Sequence, residues 1–306
     1  VLLREPVALE HFEPLLSDYR VVARSPGSSR WEMSGATAVL EFRPEANGLV
    51  ALDVVAHPWP DAMGNSLTEA GLFSAWKAGA FGPYTFPGNL ERALAQAWTW
   101  DKAAEVAPTH QGFVRLRSSY VFGVREDAPL LPKSYDPQAE LWFLSDLALR
   151  LAEHPAALAY FNPAGEVLMR RKALRETLDA YRGERLPAFA AWANVRLLNS
   201  DERPDWLMMD TVGNWQLDIP DHELLFRRGE FDPSDLETFL RGVSLYVLEK
   251  GTIIKNGDTI QGPGGLMLEA RRLETATFDP PRSVFRWSVQ GASGVPDDLK
   301  VKQRVR

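Results

Sequence analysis

The sequence WLMMDTVGNWQLDIPDHE, residues 206–223, decides how the rest of the chain is read. Trp206, Leu207, Met208 and Met209 make an apolar run of strand length. A Thr211-x-Gly213 turn follows, then a second short strand, and the stretch closes on Asp221-His222-Glu223. Two short strands about a polar turn call for further strands beside them and a helix to cover the sheet.

Both are present nearby. Residues 192–198 read as a strand pairing with 206–209 across the polar turn 199–204. Asp232-Pro233 opens a helix, with Asp at the cap and Pro in the first turn. Its stripe is Leu236, Phe239, Leu240, Val243 and Val247, and Gly251 ends it. Asn256-Gly257 predicts a two-residue hairpin turn between strands at 252–255 and 259–261. Residues 266–273 and 283–289 read as closing strands. Residues 291–306 lack an apolar pattern, end in Lys300, Lys302, Arg304 and Arg306, and read as a tail.

Upstream, residues 112–122 read as a strand. Asp136-Pro137 starts a second helix, with Leu141, Leu144, Ala148 and Leu151 on one face. A strand at 157–161 and a helix at 167–181 follow; Arg170, Arg171, Lys172 and Arg175 on the latter are a candidate anion contact. The N-terminal layer, 1–62, reads as a strand at 1–3, a helix at 7–18 carrying Pro14, a strand at 19–23 and a hairpin of 36–42 with 48–55. His57-Pro58-Trp59-Pro60-Asp61 is a rigid loop, because its prolines fix the backbone and remove two donors. Residues 63–110 form a helical insert with Phe73, Trp76, Phe81, Tyr84 and Phe86. Asn89 reads as the cap of a helix bearing Leu90, Ala93, Leu94, Ala97 and Trp98. The fold class is therefore α+β: two mixed α/β layers with antiparallel-rich sheets, joined by a helical aromatic-rich insert. The expected divisions are 1–62, 63–110, 111–290 and the tail.

Composition narrows function. The chain has 306 residues and no Cys, which excludes disulfides, thiolate metal sites and a Cys nucleophile. A net charge of −7 disfavours binding to phosphate backbones. No apolar run is long enough to span a bilayer. Residues 201–240 hold eleven acids against three Arg, an acidic stretch that a basic partner could use. The five His are scattered, and no Gly-x-Ser-x-Gly, phosphate-loop or dinucleotide fingerprint occurs.

Three features together carry a resemblance: Thr211-x-Gly213 leading to Pro220-x-x-Glu223, the helix from Phe239 to Leu248, and the Gly251 to Ile260 segment with its Gly-Asp-Thr. They resemble the bacterial domain-of-unknown-function family numbered 4261, over roughly residues 110–262. The resemblance implies a fold more than an activity. It also places the chain among bacterial proteins that include immunity partners of secreted toxins, type VI secretion among the routes.

Two functional readings follow. In the first, the chain is a non-catalytic, cytoplasmic binding protein, an immunity protein that occludes the active site of a basic toxin encoded by the adjacent gene. Trp215 anchors at the tip of the turn, and Asp218, Asp221, His222 and Glu223 surround it, with Trp59 and Asp61 a further binding surface. This reading involves no metal, cofactor, nucleic acid or membrane. The alternative is a metal-assisted hydrolase using Asp210, Asp218, His222 and Glu223. Against it, no His-Glu-x-x-His occurs, and Pro220-Asp221-His222-Glu223 resembles a helix start, where acids satisfy free N–H groups.

Overall fold

The computed structural model describes residues 1–28, 31, 33–124, 127, 129–199 and 204–291. The expected tail beyond 291 and the turn at 200–203 lie outside them. The chain divides into two compact units, Val1–Trp192 and Ala193–Arg306.

The first unit runs β1 (Leu2–Leu3), β2 (Val21–Ser25), β3 (Ala36–Arg43), β4 (Gly48–Val55), α1 (Ala70–Lys77), α2 (Asn89–Ala95), α3 (Ala103–Val106), β5 (Gly112–Ser119), α4 (Pro137–Leu151), β6 (Ala157–Asn162), β7 (Val167–Met169), α5 (Arg171–Glu184) and α6 (Phe189–Trp192). Its seven strands form one antiparallel sheet in the order β2-β3-β4-β5-β1-β6-β7. Strands from both sides of residue 111 thus share one sheet, and the structure draws its boundary at Trp192/Ala193. The aromatic-rich insert packs onto this sheet: Trp76, Phe81, Leu90 and Trp100 join Val55, Phe113 and Phe161 around Trp59. Each such ring hides about 150–250 Å² of mostly apolar surface, so this cluster contributes strongly to the stability of the unit.

Local differences from the expected elements have physical causes. Residues 7–18 form two 3-10 turns, Leu9–His11 and Glu13–Leu16, because Pro14 lacks the N–H a continuous helix needs. The helix expected to carry Trp98 ends at Ala95, and Trp98 is exposed. Asn89 lies inside α2, with its side chain buried, and is not its cap. The first residues of the expected basic helix form β7 instead. Asp136 behaves as expected, accepting the Ala139 N–H at 3.0 Å to cap α4.

The second unit runs β8 (Asn194–Asn199), β9 (Trp206–Val212), β10 (Asp221–Arg227), α7 (Pro233–Lys250), β11 (Thr259–Gln261), β12 (Met267–Leu273) and β13 (Val284–Val289). The sheet order is β11-β12-β13-β10-β9-β8. Among the described residues every pairing is antiparallel except β10 with β13, which is parallel. Asp232 caps α7 through the Ser234 N–H at 2.8 Å, and Gly251, at φ 80°, ends it. Leu236, Leu240, Val243 and Val247 are buried on the face of α7 that packs against β8, β9 and β10. The Asn-Gly hairpin does not form between 252–255 and 259–261. β11 pairs with β12 across the glycine-rich turn at 262–265, while Asn256 Oδ1 accepts the Arg272 N–H at 2.6 Å.

Candidate functional site

The sequence expectation for Pro220–Glu223 was a helix start; the structure makes Asp221, His222 and Glu223 the first three residues of strand β10. Successive side chains on a strand point to opposite faces. His222 therefore faces away from Asp221 and Glu223. All three are wholly buried (0 %), as is Asp210.

One face of the sheet carries a row of charge. Cross-strand partners align Arg196, Asp210, Glu223, Arg286 and Arg271 over β8, β9, β10, β13 and β12. Arg196 donates to Asp210 in a two-pronged pair, Nε to Oδ1 at 2.9 Å and Nη2 to Oδ2 at 2.6 Å. Arg282 adds a third bond to Oδ2 at 2.6 Å. Burial works to raise the Asp210 pKa, but Arg196 and Arg282 together hold it below the usual carboxylate range. Glu223 accepts from Arg286 Nε at 2.8 Å, and from the N–H and hydroxyl of Thr277 at 3.1 and 3.2 Å.

These pairs also fasten a segment across the face. Arg282 donates to the carbonyls of Phe278, Pro280 and Thr211, and Phe278 packs on Trp206, Met208 and Leu225. Residues 277–282 are thus tied to one sheet face, to Asp210 and Glu223 and to the apolar cluster of Trp206, Met208 and Leu225 beside them.

Asp221 closes the β9–β10 connection. Its carboxylate accepts from Thr211 Oγ1 at 2.8 Å and from the N–H groups of Asn214 and Gly213 at 3.1 and 3.3 Å. Gly213 sits at φ 119°, where a β-carbon would be strained, which accounts for the Thr-x-Gly pattern. Burial pushes Asp221 up to about 6, against the opposing pull of Arg282 and these hydrogen bonds. His222 lies between Phe285 and Trp287 on the other face. Its Nδ1 accepts from Trp287 Nε1 at 3.4 Å, Nε2 has no hydrogen-bond partner among the described residues, and burial pushes the imidazole down to about 3. It is a neutral core histidine at neutral pH.

The remaining expected site residues stand apart from this network. Trp215 is half-buried in the 3-10 turn Asn214–Leu217, not held out as a free anchor. Asp218 is exposed and ends that turn at φ 58°. Trp59, in the first unit, is a core residue: its N–H donates to His110 Nε2 at 2.8 Å and its indole N–H to Asn89 Oδ1 at 2.9 Å. His110 Nδ1 bonds the Ala107 carbonyl at 2.6 Å, which leaves Nε2 as the acceptor. Asp61 caps α2 from a distance, accepting the N–H groups of Leu90 and Glu91 at 2.7 and 2.9 Å. Asp221, His222, Glu223 and Trp59, expected on recognition surfaces, are therefore interior residues. Of the proposed hydrolase set only Asp218 reaches solvent, and among the described residues no three His, Asp or Glu groups could share a metal.

The arginine partners went unrecognised in the sequence. Their signal is an arginine placed mid-strand among large apolar residues, as Arg196 stands between Val195 and Leu197 and Arg286 between Phe285 and Trp287. A charge so placed calls for a buried counter-charge.

Fold and network define an α+β protein whose second unit is built around interior ion pairs. Residues 210–288 match the family model described as Domain of unknown function (DUF4261), an uncharacterised family. The match begins at Asp210 and takes in Asp221, Glu223, Arg282 and Arg286. It starts later than the expected residue 110 and runs on through nearly all of β13. The chain matches no curated protein and no solved structure. No helix is long and apolar enough to cross a membrane, among the residues described.

Proposed function

We propose that the protein acts by binding another protein without chemistry of its own, and that its partner presents a basic surface; an immunity protein neutralising a secreted bacterial toxin is the concrete form of this reading. One observation carries it. Between residues 204 and 240, the buried acids Asp210, Asp221 and Glu223 are bonded within the protein. Asp205, Asp218, Glu230, Asp232 and Asp235 stay exposed against two exposed arginines, Arg227 and Arg228, while Glu237 is paired with Arg241 at 2.9 Å.

The exposed acids are not one patch with Trp215. β9 and β10 are antiparallel, so the turn carrying Asp218 lies at one end of the sheet and Asp205, Arg228 and Glu230 at the other. A seven-residue strand separates the ends by about 24 Å. The proposed recognition surface is accordingly the end formed by Asp205, Glu230, Asp232 and Asp235, where α7 starts. Charge there steers a basic partner and makes association salt-dependent.

The test is co-purification with the product of the adjacent gene, followed by calorimetry at low and moderate salt. A one-to-one complex that weakens with salt, and weakens further in Asp205→Lys/Asp235→Lys, is the expected result. No complex, or one indifferent to both salt and the charge reversal, refutes the proposal. No observation favours the hydrolase reading, since Asp210 and Glu223 are held by arginines and His222 faces away from both.

A further inference from the structure

A groove in the first unit, between α4 and the C-terminal end of α5, takes no part in the reading above. Its volume is about 430 Å³, and Gln138, Trp142, Asp146, Arg182, Arg185 and Pro187 line it. That volume is in the range of small-molecule sites, about 300–1,000 Å³.

One wall is held rigid. Trp142 stands edge-on against the buried Trp192, whose indole N–H is fixed by Ser145 at 2.8 Å. The Arg182 guanidinium lies over the Trp142 ring at 4.7 Å and donates to both Asp146 oxygens, at 2.8 and 2.9 Å. Its orientation is set before any ligand arrives, which reduces the entropy lost on binding.

The second arginine is placed at a cost. Arg185 ends α5 in the left-handed region, φ 58° and ψ 34°. Its N–H returns to Arg182 O at 3.1 Å and the Leu186 N–H to Tyr181 O at 2.9 Å, a helix ending that glycine usually serves. A side chain there is strained, and strain of this kind concentrates at functional positions. The Arg185 side chain is exposed on the groove, with no ion pair or hydrogen bond among the described residues.

Arg182 is balanced by Asp146, with the exposed Asp179 also 3.9 Å from it, so the excess positive charge of the groove is that of Arg185. That excess suits a monoanion, and a carboxylate matches the planar donor fork of arginine. Trp142, Leu186 and Pro187 offer apolar surface beside it. We propose that this groove binds a small organic carboxylate, its anionic end between Arg182 and Arg185 and its apolar body against Trp142 and Pro187. The carboxylate belongs either to a free acid or to the C-terminus of a peptide.

The experiment is calorimetry on the full chain at low salt with four probes: benzoate, its neutral counterpart benzamide, and a short apolar peptide with a free or an amidated C-terminus. One acid is expected to saturate, with its amide at least about ten-fold weaker, the scale of one charge-assisted hydrogen bond. Tighter binding of benzoate identifies a free acid as the source; tighter binding of the free-acid peptide identifies a chain terminus. Arg185→Gly should weaken the acid at least about ten-fold while raising the thermal midpoint, since glycine relieves the left-handed strain. Arg185→Gln should weaken it as much with no rise. Equal binding of acid and amide, no saturation by either acid, undiminished binding in Arg185→Gly, or no thermal rise in that variant each overturn the proposal.

Discussion

Replacing Asp210 by alanine deprives two buried guanidinium groups of the same carboxylate. Arg196 is 1 % exposed and Arg282 5 %, and together they direct three hydrogen bonds of 2.6–2.9 Å at Asp210. Arg282 keeps Asp221 at 3.4 Å and three carbonyl oxygens, which moderates its share of the loss. Breaking a buried pair from one side costs about 3–5 kcal/mol, against about 0–1 kcal/mol for an exposed pair. A domain is stable by only about 5–15 kcal/mol, so the loss is a large fraction of the whole. Two compact units need not unfold in one transition, so native-state hydrogen exchange at β9 and β10 is a better measure than a melting curve. The expected change is exchange faster by about two to four orders of magnitude, from about 1.4 kcal/mol per decade. Asp218→Asn, at an exposed position whose left-handed backbone (φ 58°) asparagine also tolerates, should stay within about 0.5 kcal/mol of the parent. A loss in Asp210→Ala below about 1 kcal/mol would refute the view that the network fastens this unit.

Other substitutions test the remaining assignments. Asp61→Ala should cost about 0.5–2 kcal/mol in denaturant unfolding, as the loss of a helix cap does; no change would mean the Leu90 and Glu91 bonds contribute nothing. Trp59→Phe should cost about 1–3 kcal/mol by stranding the buried Asn89, whereas a surface role predicts a change near zero. Asp221 and His222 titrate in opposite senses. Asp221 is raised from 3.8 to about 6, so its penalty is present above pH 6 and relieved as pH falls toward its unfolded value. His222 is lowered from 6.5 to about 3, so its contribution is present above pH 6.5 and lost as pH falls toward 3. Between pH 6 and 4 folded and unfolded chains have each gained one proton on this pair, and the two effects cancel. His222→Phe should remove the His222 loss: relative to the parent, its stability should climb by up to about 1.4 kcal/mol per pH unit as pH falls below 6.5. Urea midpoints across that range, parallel for variant and parent, would rule this out.

The sequence revealed local signals well and distant partners poorly. The strand at 48–55 and the Asp136-Pro137 and Asp232-Pro233 helix starts are decided by neighbours within a few residues, and the structure places them as read. Asp221-His222-Glu223 was misread because three polar residues in a row resemble an exposed helix start. What makes them a strand is Arg282 and Arg286, some sixty residues on. The acidic excess over 201–240 misled for the same reason. Its interior members are paired with Arg196, Arg282 and Arg286, all outside the window, so a count along the chain overstates the charge facing solvent. The Asn-Gly hairpin failed because the glycine-rich turn at 262–265 supplied the reversal instead.

Arg196 precedes Asp210 by 14 residues, but Arg282 and Glu223's partner Arg286 are made late. Arg282 lies 72 residues after Asp210, and Arg286 lies 63 residues after Glu223. A chain emerging from the ribosome presents β9 and β10 long before either arginine, and a carboxylate buried without its partner opposes closure by several kcal/mol. The parallel strand β13, which brings Arg286, is also the last of the sheet to be made among the described residues. In a chain that stops short of residue 286, Glu223 lacks its arginine, and burying β10 then carries the cost of an unpaired carboxylate, which disfavours closure before β13 is available.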